Sequence, residues 1–402
     1  MPARHIVMVG PFALAPKATM RARALPLAET LVARGHRVTV LLPPWDDRAR
    51  SGRRWCERGV EVRNIVLPKR LDTAGIVYRL RAAIAAAQPD VVHVFKPKGH
   101  GALAALTSPG HATLVVDSDD WEGPGGWNDV GGYSPAQRLL FAWQERDLPR
   151  RAGAVTVASR TLEERQWGFG LAPARVHYVP NGVTAWRHGD WCARAEGVPE
   201  LRRALGLGAA PVVLLYTRFV EFAPARAARI FSEVRREIPD ARLLVIGAGF
   251  LGEERALLAE LRAAGLADAA THLPWVEPAE LPAHLALGDV AILPYDDTPV
   301  NRAKCSVKTL DLMVSGRAVV ADAVGQNRDY VEPGASGVLT PPECPEAFAP
   351  AVVALLRDGE RRRCLGAAAR ARAWREFDWA RLVARVEAAY DAALARRGGA
   401  PA

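Results

Sequence analysis

Short apolar runs alternate with longer amphipathic segments along most of this chain. The apolar runs predict buried strands, and segments with apolar positions at helical spacing predict the helices between them. The strands predicted in the first half are 5–10, 37–42, 61–67, 90–95, 113–116, 153–157 and 175–179. This alternation is typical of α/β proteins with a parallel, doubly wound sheet that is covered by helices on both faces.

The alternation stops in the polar, irregular stretch 181–197 and then starts again. The strands predicted after that stretch are 211–216, 242–246, 290–295, 318–321 and 337–339. A chain of 402 residues is too long for one ordinary core. We therefore expect two Rossmann-like domains, 1–192 and 193–376, that face each other across a cleft. A closing helix within 377–402 is expected to pack back on the first domain.

Composition narrows the class of protein. The net charge of +9 comes from arginines scattered among alanines rather than from a basic block, so nucleic-acid binding is not predicted. The 5 cysteines are widely spaced, which predicts neither a disulfide framework nor a zinc site. The N-terminus lacks the features of a signal peptide, and no apolar run reaches the length of a membrane span. We expect a cytoplasmic protein, and peripheral contact with an anionic membrane stays open.

The segment 290–322 is the most informative part of the sequence. An apolar strand is followed by a basic turn and then by the predicted helix Val307–Val314, with Ser306 at its N-cap. The start of a helix favours anions, and Lys304 and Lys308 add two ammonium groups there. A phosphate or diphosphate site is predicted, and a solvated helix start with two surface lysines is the alternative.

Two further residues belong to the predicted nucleotide site. Asp311 lies one turn into the same helix, where its carboxylate can accept hydrogen bonds from two ribose hydroxyls. Arg218 follows the strand 211–216, and a guanidinium there can bind a diphosphate in bidentate fashion. For Arg218, an ordinary surface arginine is the alternative.

Gly247 and Gly249 belong to a G-x-G-x-x-G pattern that follows the strand 242–246. In a dinucleotide site an acidic residue follows about twenty positions later, at the end of the next strand. Asp268 instead precedes that strand. The pattern therefore favours a tight turn near a phosphate, or a purely structural turn, over a nicotinamide or flavin site.

Charged side chains crowd the carboxyl ends of two strands in the first half. His93, Lys96 and Lys98 end the strand 90–95, and four carboxylates follow the next strand within Asp117–Glu122. Ligands of parallel α/β sheets bind at the carboxyl ends of strands. We expect a base or a ligand for a substrate hydroxyl among these carboxylates; N-capping with a solvated turn is the alternative. A lone histidine in a strand, such as His93, is more often a satisfied core residue than a catalyst, and a metal site would lack nearby His or Cys partners.

The sequence resembles the retaining glycosyltransferases of family 4, which have the GT-B fold. The segments that carry the resemblance are Arg34–Val40, Val179–Val183, Gly247–Gly249, Lys308–Gly316, Val319–Ala321 and Phe377–Trp379. The resemblance implies a donor nucleotide sugar held mainly by the C-terminal domain and an acceptor held by the N-terminal domain. It also implies transfer with retention and no requirement for a metal.

The resemblance also assigns roles to residues. Asp311 corresponds to the ribose ligand, Arg218 to a diphosphate ligand, and Cys305, Ser306 and Val307 to the backbone N–H groups that meet the phosphate.

Three positions depart from the family pattern. Ala303 replaces a glutamate that contacts the donor sugar. The lysine paired with the arginine falls near Phe222 or Ala223, so Lys304 or Lys308 would compensate. A histidine after the fourth strand falls on Phe95, with His93 two residues earlier.

We therefore predict a glycosyltransferase that moves a sugar from a nucleoside diphosphate sugar to an acceptor hydroxyl, without a cofactor or a metal. The predicted catalytic residues are Asp119, Asp120, Arg218 and Lys308. The predicted donor-binding residues are Arg218, Gly247, Gly249, Lys304, Cys305, Ser306, Val307, Lys308 and Asp311. The predicted acceptor-binding residues are Lys17, His93, Lys96, Lys98 and Asp117. The acceptor is expected to be a sugar, a lipid-linked molecule or a small molecule. A GT-B protein that binds nucleotide sugars without transferase activity, and a GT-B epimerase or phosphorylase, are the alternatives.

Overall fold

The structure, a computed structural model, describes residues 2–15, 19–107, 112–191 and 197–399. Lys17, one of the predicted acceptor-binding residues, lies outside these ranges. The chain divides into two compact units. The first unit is Met1–Gly182, Ala303–Cys305 and Trp379–Ala402, and the second is Val183–Arg302 and Ser306–Asp378.

The first unit is built on a sheet that is parallel except at one edge. Its strands are β1 His5–Val9, β2 Arg37–Leu42, β3 Arg54–Glu57, β4 Val60–Asn64, β5 Val91–Phe95, β6 Thr113–Ser118, β7 Ala154–Val157 and β8 Val176–Tyr178. The strand order is β3-β4-β2-β1-β5-β6-β7-β8. The edge strand β3 runs antiparallel to β4. The apolar pattern did not predict β3, because an edge strand that is half exposed carries polar residues.

The second unit contains a parallel sheet. Its strands are β9 Val212–Tyr216, β10 Arg242–Ile246, β11 Ala270–Leu273, β12 Val290–Leu293, β13 Ala318–Asp322 and β14 Val338–Thr340. They lie in the order β11-β10-β9-β12-β13-β14, and neighbouring strands pair in parallel. Strand β12 ends two residues earlier than predicted, because Pro294 has no N–H to donate to a neighbouring strand.

Helices connect these strands. In the first unit, the π-helical turn Met20–Ala24 continues into α1 Leu25–Ala33 and is followed by α2 Thr73–Ala87, α3 Gly99–Thr107, α4 Trp127–Val130, α5 Pro135–Arg151 and α6 Arg160–Gly168. The next helices are α7 Ala185–His188, α8 Val198–Ala204, α9 Pro224–Glu237, α10 Glu253–Ala263, α11 Leu281–Ala286, α12 Pro299–Ala303, α13 Val307–Val314, α14 Asn327–Tyr330, α15 Phe348–Arg357 and α16 Gly359–Glu376. The last helix is α17 Trp379–Arg397. Within the described ranges, no helix combines the length and the apolar character needed to cross a membrane.

The basic turn that the sequence predicted before α13 is partly helical. Residues 299–303 form the short helix α12, which begins with Pro299. Proline suits the first turn of a helix, because the N–H that it lacks has no partner there. The true loop between the two helices is Lys304–Ser306.

Helix α17 belongs to the core of the first unit. Its apolar residues recur at helical spacing, and Trp379, Val386 and Tyr390 are all buried. The helix packs against α1 and against strands β6, β7 and β8. The last helix of the chain therefore covers part of one sheet face, at β6, β7 and β8.

Parallel pairing aligns the strand ends that carry the predicted site residues. Phe95 at the end of β5 pairs with Asp117 of β6. The chain then turns sharply after β5, where Lys96 has a φ of 61°. A second left-handed residue, Phe219, with a φ of 66°, lies shortly after β9 in the other unit. Backbone of this kind is uncommon outside glycine and often occurs at functional sites.

Candidate functional site

A buried ammonium group lies at the centre of the acidic cluster after β6. Lys96 Nζ lies 3.2 Å from Asp119 Oδ1 and 3.0 Å from Glu122 Oε1, and it also contacts Asp120. Burial alone would lower the pKa of Lys96, but the three carboxylates raise it well above its ordinary value. The crowded carboxylates are thus stabilised by a charged lysine from the neighbouring strand end.

Lys98 extends the same cluster. Its Nζ donates to Glu122 Oε2 over 2.6 Å and to the Tyr133 hydroxyl over 3.0 Å. The ammonium also lies 4.3 Å from the centroid of the Tyr133 ring and 4.7 Å from that of Phe141. Burial alone would raise the pKa of Glu122, but Lys96 and Lys98 lower it. The structure therefore joins both predicted lysines to the predicted carboxylates.

Asp119 differs from the other carboxylates of the cluster. Its residue surface is 9% exposed, and within the described part of the chain its Oδ1 has an ion-pair contact with Lys96 Nζ at 3.2 Å that lacks the geometry of a hydrogen bond. Burial, with the charges of Asp120 and Asp117, raises the pKa of Asp119 to about 7. A buried carboxyl group with this pKa can exchange a proton near neutral pH, as general bases and acids do.

Asp117 lies deeper and forms a buried ion pair. Nε and Nη2 of Arg23 donate to Asp117 Oδ1 and Oδ2, each over 2.7 Å. Thr156 Oγ1 donates to Asp117 Oδ2 over 2.6 Å. Burial alone would raise the pKa of Asp117, but Arg23 lowers it. The carboxylate predicted to bind an acceptor is thus already bound in bidentate fashion by an arginine.

His93 is part of the same buried network. Its Nδ1 lies 3.0 Å from the Tyr390 hydroxyl and its Nε2 lies 3.2 Å from Thr156 Oγ1. Because Thr156 donates to Asp117, its oxygen can accept from His93 Nε2–H, and Tyr390 O–H then donates to Nδ1. Burial lowers the pKa of His93 to about 4. This geometry fits the alternative that His93 is a satisfied core residue. Contact between His93 and an acceptor stays a prediction.

Residues 303–305 are anchored to the first unit by polar contacts. Ser159 Oγ donates to the Ala303 carbonyl over 2.7 Å. Asn181 donates from its side chain to the Cys305 carbonyl over 2.7 Å and from its backbone to Cys305 Sγ over 3.2 Å. Lys304 lies between these two anchored residues. Asn181 also accepts from Arg23 Nη1 over 3.0 Å, which links the stretch to the buried ion pair.

In the second unit, three of the predicted donor-binding residues, Arg218, Lys308 and Asp311, contact Tyr216 or act on it electrostatically. Lys308 Nζ lies 4.2 Å from the centroid of the Tyr216 ring. Burial and the charge of Asp311 raise the pKa of Tyr216, whereas Arg187 and Arg218 lower it. These side chains therefore share one electrostatic environment beyond the carboxyl end of β9.

A tight turn presents Arg218. Phe219 N donates to Thr217 Oγ1 over 2.8 Å, and Thr217 Oγ1 donates to Glu221 Oε2 over 2.9 Å. These contacts hold the left-handed backbone of Phe219. The Arg218 guanidinium lies 4.2 Å from the centroid of the Phe250 ring, within cation–π distance.

Asp311 is buried, and two residues that the sequence did not predict for this site contact its carboxylate. His188 Nε2 lies 3.2 Å from Asp311 Oδ1, and Arg187 Nη2 lies 3.5 Å from both carboxylate oxygens. Burial alone would raise the pKa of Asp311, but Arg187 and His188 lower it. Arg187 and His188 each lie more than 120 residues from Asp311 in the sequence. No local sequence pattern indicates a contact over such a separation.

Gly247 and Gly249 form a turn with a clear structural requirement. Gly247 has a φ of 120°, and a Cβ there would lie 2.0 Å from the Thr217 carbonyl oxygen. Gly249 N donates to Glu254 Oε2 over 2.9 Å. The close approach to Thr217 explains why position 247 is a glycine. The backbone N–H of Gly249 already has an acceptor, the Glu254 carboxylate. The role of either glycine in donor binding stays a prediction.

The start of α13 differs from the prediction in one detail. Ser306 occupies the N-cap position, but its side chain makes no capping hydrogen bond. Its extended backbone, with φ −75° and ψ 118°, is nevertheless typical of an N-cap. The helix begins at Val307, and the first N–H groups of a helix have no acceptor within the helix itself.

The acidic cluster does not resemble a metal site. Over the part of the chain that the structure describes, no group of three or more His, Cys, Asp or Glu side chains is arranged to hold a metal ion. Lys96 and Lys98 neutralise much of the negative charge after β6.

Comparison with known families identifies both halves of the chain. Residues 18–182 match the family described as glycosyl transferase 4-like domain. Residues 210–358 match the family described as glycosyl transferases group 1.

Two curated relatives are mycobacterial enzymes named GDP-mannose-dependent alpha-(1-6)-phosphatidylinositol monomannoside mannosyltransferase. The protein from Mycobacterium tuberculosis is 30% identical over 251 residues, which is 60% of this chain and 63% of that protein. The chain thus matches less than two thirds of the length of that relative. The protein from Mycolicibacterium smegmatis is 27% identical over 86% of this chain and 88% of its own length.

Solved structures show the same fold. Sucrose-phosphate synthase from Thermosynechococcus elongatus superposes with a TM-score of 0.72 at 19% identity, covering 98% of this chain and 100% of that chain. The catalytic domain of starch synthase IV from Arabidopsis thaliana superposes with a TM-score of 0.74 at 16% identity. The match covers 98% of this chain and 100% of that chain. The fold, the two family matches and their order along the chain agree with the resemblance seen in the sequence. The chain belongs to the family 4 glycosyltransferases (glycosyl transferases group 1) with the GT-B fold.

Proposed function

We propose that this protein transfers a sugar from a nucleoside diphosphate sugar to an acceptor hydroxyl, with retention of configuration and without a metal. The observation that carries the proposal is the group of charged side chains around Tyr216. Arg187, Arg218 and Asp311 act on its pKa, and Lys308 lies over its ring. Several cations beside one buried carboxylate suit a ligand that combines an anionic diphosphate with a hydroxyl-bearing ribose.

The donor would bind with its ribose on Asp311 and its diphosphate near Arg218, Lys308 and the start of α13. Negative charge develops on the departing diphosphate during transfer. Fixed cations and the N-terminal end of a helix stabilise such charge, and they need no reorganisation at the moment of reaction. The backbone N–H groups of Ser306 and Val307 belong to this proposed phosphate site, and the roles of Lys304 and Cys305 stay predictions from the sequence.

Asp119 is proposed to receive or orient the acceptor hydroxyl, and Asp120 lies in the same cluster. Asp119 Oδ1 contacts Lys96 Nζ at 3.2 Å without the geometry of a hydrogen bond, and burial raises the pKa of Asp119 to about 7. An ionised Asp119 would accept the hydroxyl proton as the new bond forms. Lys96 and Lys98 would keep the cluster compact, and Lys98 is close to the aromatic ring of Tyr133, which could contact an acceptor.

The names of the relatives suggest where to begin with substrates. The mycobacterial relatives are named for GDP-mannose and a phosphatidylinositol mannoside. Others are named D-inositol 3-phosphate glycosyltransferase, such as the protein of Geodermatophilus obscurus. We therefore take GDP-mannose as the first donor to assay and polyols, sugars and lipid-linked sugars as acceptors. A cytoplasmic location, with peripheral membrane contact for a lipid-linked acceptor, forms part of this proposal.

Turnover tests the proposal. The purified protein is incubated in excess EDTA with GDP-mannose, UDP-glucose or ADP-glucose and with mixed acceptors, and release of nucleoside diphosphate and new glycosides is measured. Acceptor-dependent release with the original anomeric configuration is expected. Donor binding without turnover would favour a nucleotide-sugar-binding protein that lacks transferase activity. An epimerised donor would favour an epimerase. Activity that depends on inorganic phosphate would favour a phosphorylase.

A further inference from the structure

The carboxylate of Asp311 contacts a histidine from a segment of the same unit that is distant in sequence. His188, the last residue of α7, places Nε2 3.2 Å from Asp311 Oδ1. Both residues are buried, with 4% of His188 and 1% of Asp311 exposed. The contact joins the start of the second unit to the helix that carries the proposed ribose ligand.

The hydrogen bonds of His188 determine which of its ring nitrogens carries a hydrogen. The nitrogen that faces Asp311 is Nε2. Thr184 N–H lies 3.1 Å from Nδ1 and donates to it when the ring is neutral, which leaves the hydrogen on Nε2. The Thr184 carbonyl oxygen lies 3.2 Å from the same nitrogen and would accept from a protonated ring. Nε2 carries a hydrogen in both cases, so His188 donates to Asp311 in either protonation state.

Packing limits rotation of the His188 ring. The ring centroid lies 4.9 Å from that of Trp191 and 6.5 Å from that of Trp374. With Nδ1 held by Thr184 at the start of α7, the ring has little freedom to turn away. His188 is thus a rigid donor rather than a mobile one.

The Asp311 carboxylate keeps capacity for a ligand. An ionised carboxylate can accept about four hydrogen bonds. His188 takes one of them on Oδ1, and the two contacts with Arg187 Nη2 are 3.5 Å long, at the limit of a hydrogen bond. Two adjacent hydroxyl donors of a ribose would form shorter contacts than Arg187 does.

We propose that His188 is a positioning residue for donor binding: its Nε2–H holds the Asp311 carboxylate in the orientation that accepts the ribose hydroxyls. The inference rests on the proposed function, because it assumes a nucleotide at Asp311. It predicts a specific consequence, namely that discrimination between ribose and 2′-deoxyribose depends on His188.

Three substitutions separate donation from packing. His188→Phe keeps an aromatic ring beside Trp191 and Trp374 but removes the donor. His188→Asn keeps a polar group near Thr184 but does not reach Asp311. His188→Gln can place an amide N–H near the position of Nε2. His284→Asn is the control, since the Nδ1 of His284 lies 2.9 Å from the Glu280 carbonyl oxygen at another site.

Calorimetry measures the dissociation constants of GDP, UDP and ADP and of their 2′-deoxy counterparts for each protein, and melting temperatures verify folding. For the nucleotide that wild type binds best, we expect the ribose form to bind roughly 10- to 100-fold more tightly, the range for a hydrogen bond to a charged group. This ratio should fall towards one in His188→Phe and His188→Asn and persist in His188→Gln and His284→Asn. If His188→Phe does not fold, His188→Asn decides.

The possible failures are distinct. An unchanged ratio in His188→Phe and His188→Asn, even with weaker binding of both nucleotides, would overturn the role of His188 and leave the proposed function standing. Loss of the ratio in His188→Gln as well would also count against it. If wild type binds none of the three diphosphates, the proposed function itself fails.

Discussion

Arg23 and Asp117 form a bidentate ion pair inside the first unit, with both N–H···O distances at 2.7 Å and both side chains at most 2% exposed. Arg23 lies in the π-helical turn before α1, and Asp117 lies near the end of β6. The pair connects the acidic cluster to Asn181, and through it to the anchored stretch Ala303–Cys305.

Removal of one partner of this pair should be costly. Arg23→Met leaves the Asp117 carboxylate buried without its cation, and we expect a loss of about 3 to 5 kcal/mol in the free energy of unfolding. Urea denaturation followed by tryptophan fluorescence measures it. The control is Arg302→Met, because the pair of Arg302 with Asp297 is largely exposed and should contribute less than about 1 kcal/mol. Equal changes in both variants would contradict the structural role of Arg23.

The pKa of Asp119 predicts a pH dependence. Burial, Asp120 and Asp117 raise it to about 7, so the carboxylate needed to accept a proton forms only above that pH. We expect kcat/KM to rise with pH through about 7 and Asp119→Asn to lose both activity and this dependence. A pH–rate profile of the wild type that is flat from pH 5 to about 8 would contradict the assignment.

The same shift has a consequence for stability. The folded-state pKa of Asp119 lies above the ordinary value of 3.8. Its contribution to stability is therefore complete below that value and is lost as pH rises through about 7. Asp119→Asn should show a smaller loss of stability over this interval, as measured by thermal unfolding in a series of buffers. An identical pH dependence in the two proteins would contradict the raised pKa.

The cations near Tyr216 should act on the transition state. Arg218→Ala and Lys308→Ala should each cost roughly 2 to 4 kcal/mol in kcat/KM, because each removes a fixed charge from the departing diphosphate. Steady-state kinetics with the best donor measures the effect. Arg302→Ala, on the exposed surface of α12, is the matched control. Wild-type turnover in both Arg218→Ala and Lys308→Ala would remove these residues from the donor site.

The glycine turn after β10 makes a prediction about stability alone. Gly247→Ala would place a Cβ 2.0 Å from the Thr217 carbonyl oxygen at a φ of 120°. We expect it to destabilise the second unit by about 3 kcal/mol or more. Gly265→Ala is the control, since its φ is also positive but no atom lies within 4 Å of the added carbon. Thermal unfolding that gives equal losses for both variants would contradict the steric account.

The sequence predicted those features that depend on local pattern. Strands such as Val212–Tyr216 are continuous apolar runs, and the pairing of β5 with β6 brings Lys96 beside Asp119 because parallel strand ends align. The helix Val307–Val314 was predicted with its bounds, since its apolar face and the glycine after it are local signals.

Contacts between distant segments could not be predicted in this way. Arg23 lies 94 residues from Asp117, and its sequence context among apolar residues resembles that of any arginine on a helix. His188 and Arg187 are equally far from Asp311, and the helix that carries them is a single turn. The short helix α12 was missed because its 5 residues are too few for apolar positions to repeat at helical spacing.

The central claim is that a nucleoside diphosphate sugar binds beside Asp311, and calorimetry tests it most directly. Donor and free diphosphate are titrated, in excess EDTA, into wild type, Asp311→Asn and the control Arg302→Ala. The account predicts binding to wild type and to the control, and weakening by roughly 1 to 3 kcal/mol in Asp311→Asn, since charge-assisted hydrogen bonds to the ribose become neutral ones. Equal affinity in wild type and Asp311→Asn would contradict the account.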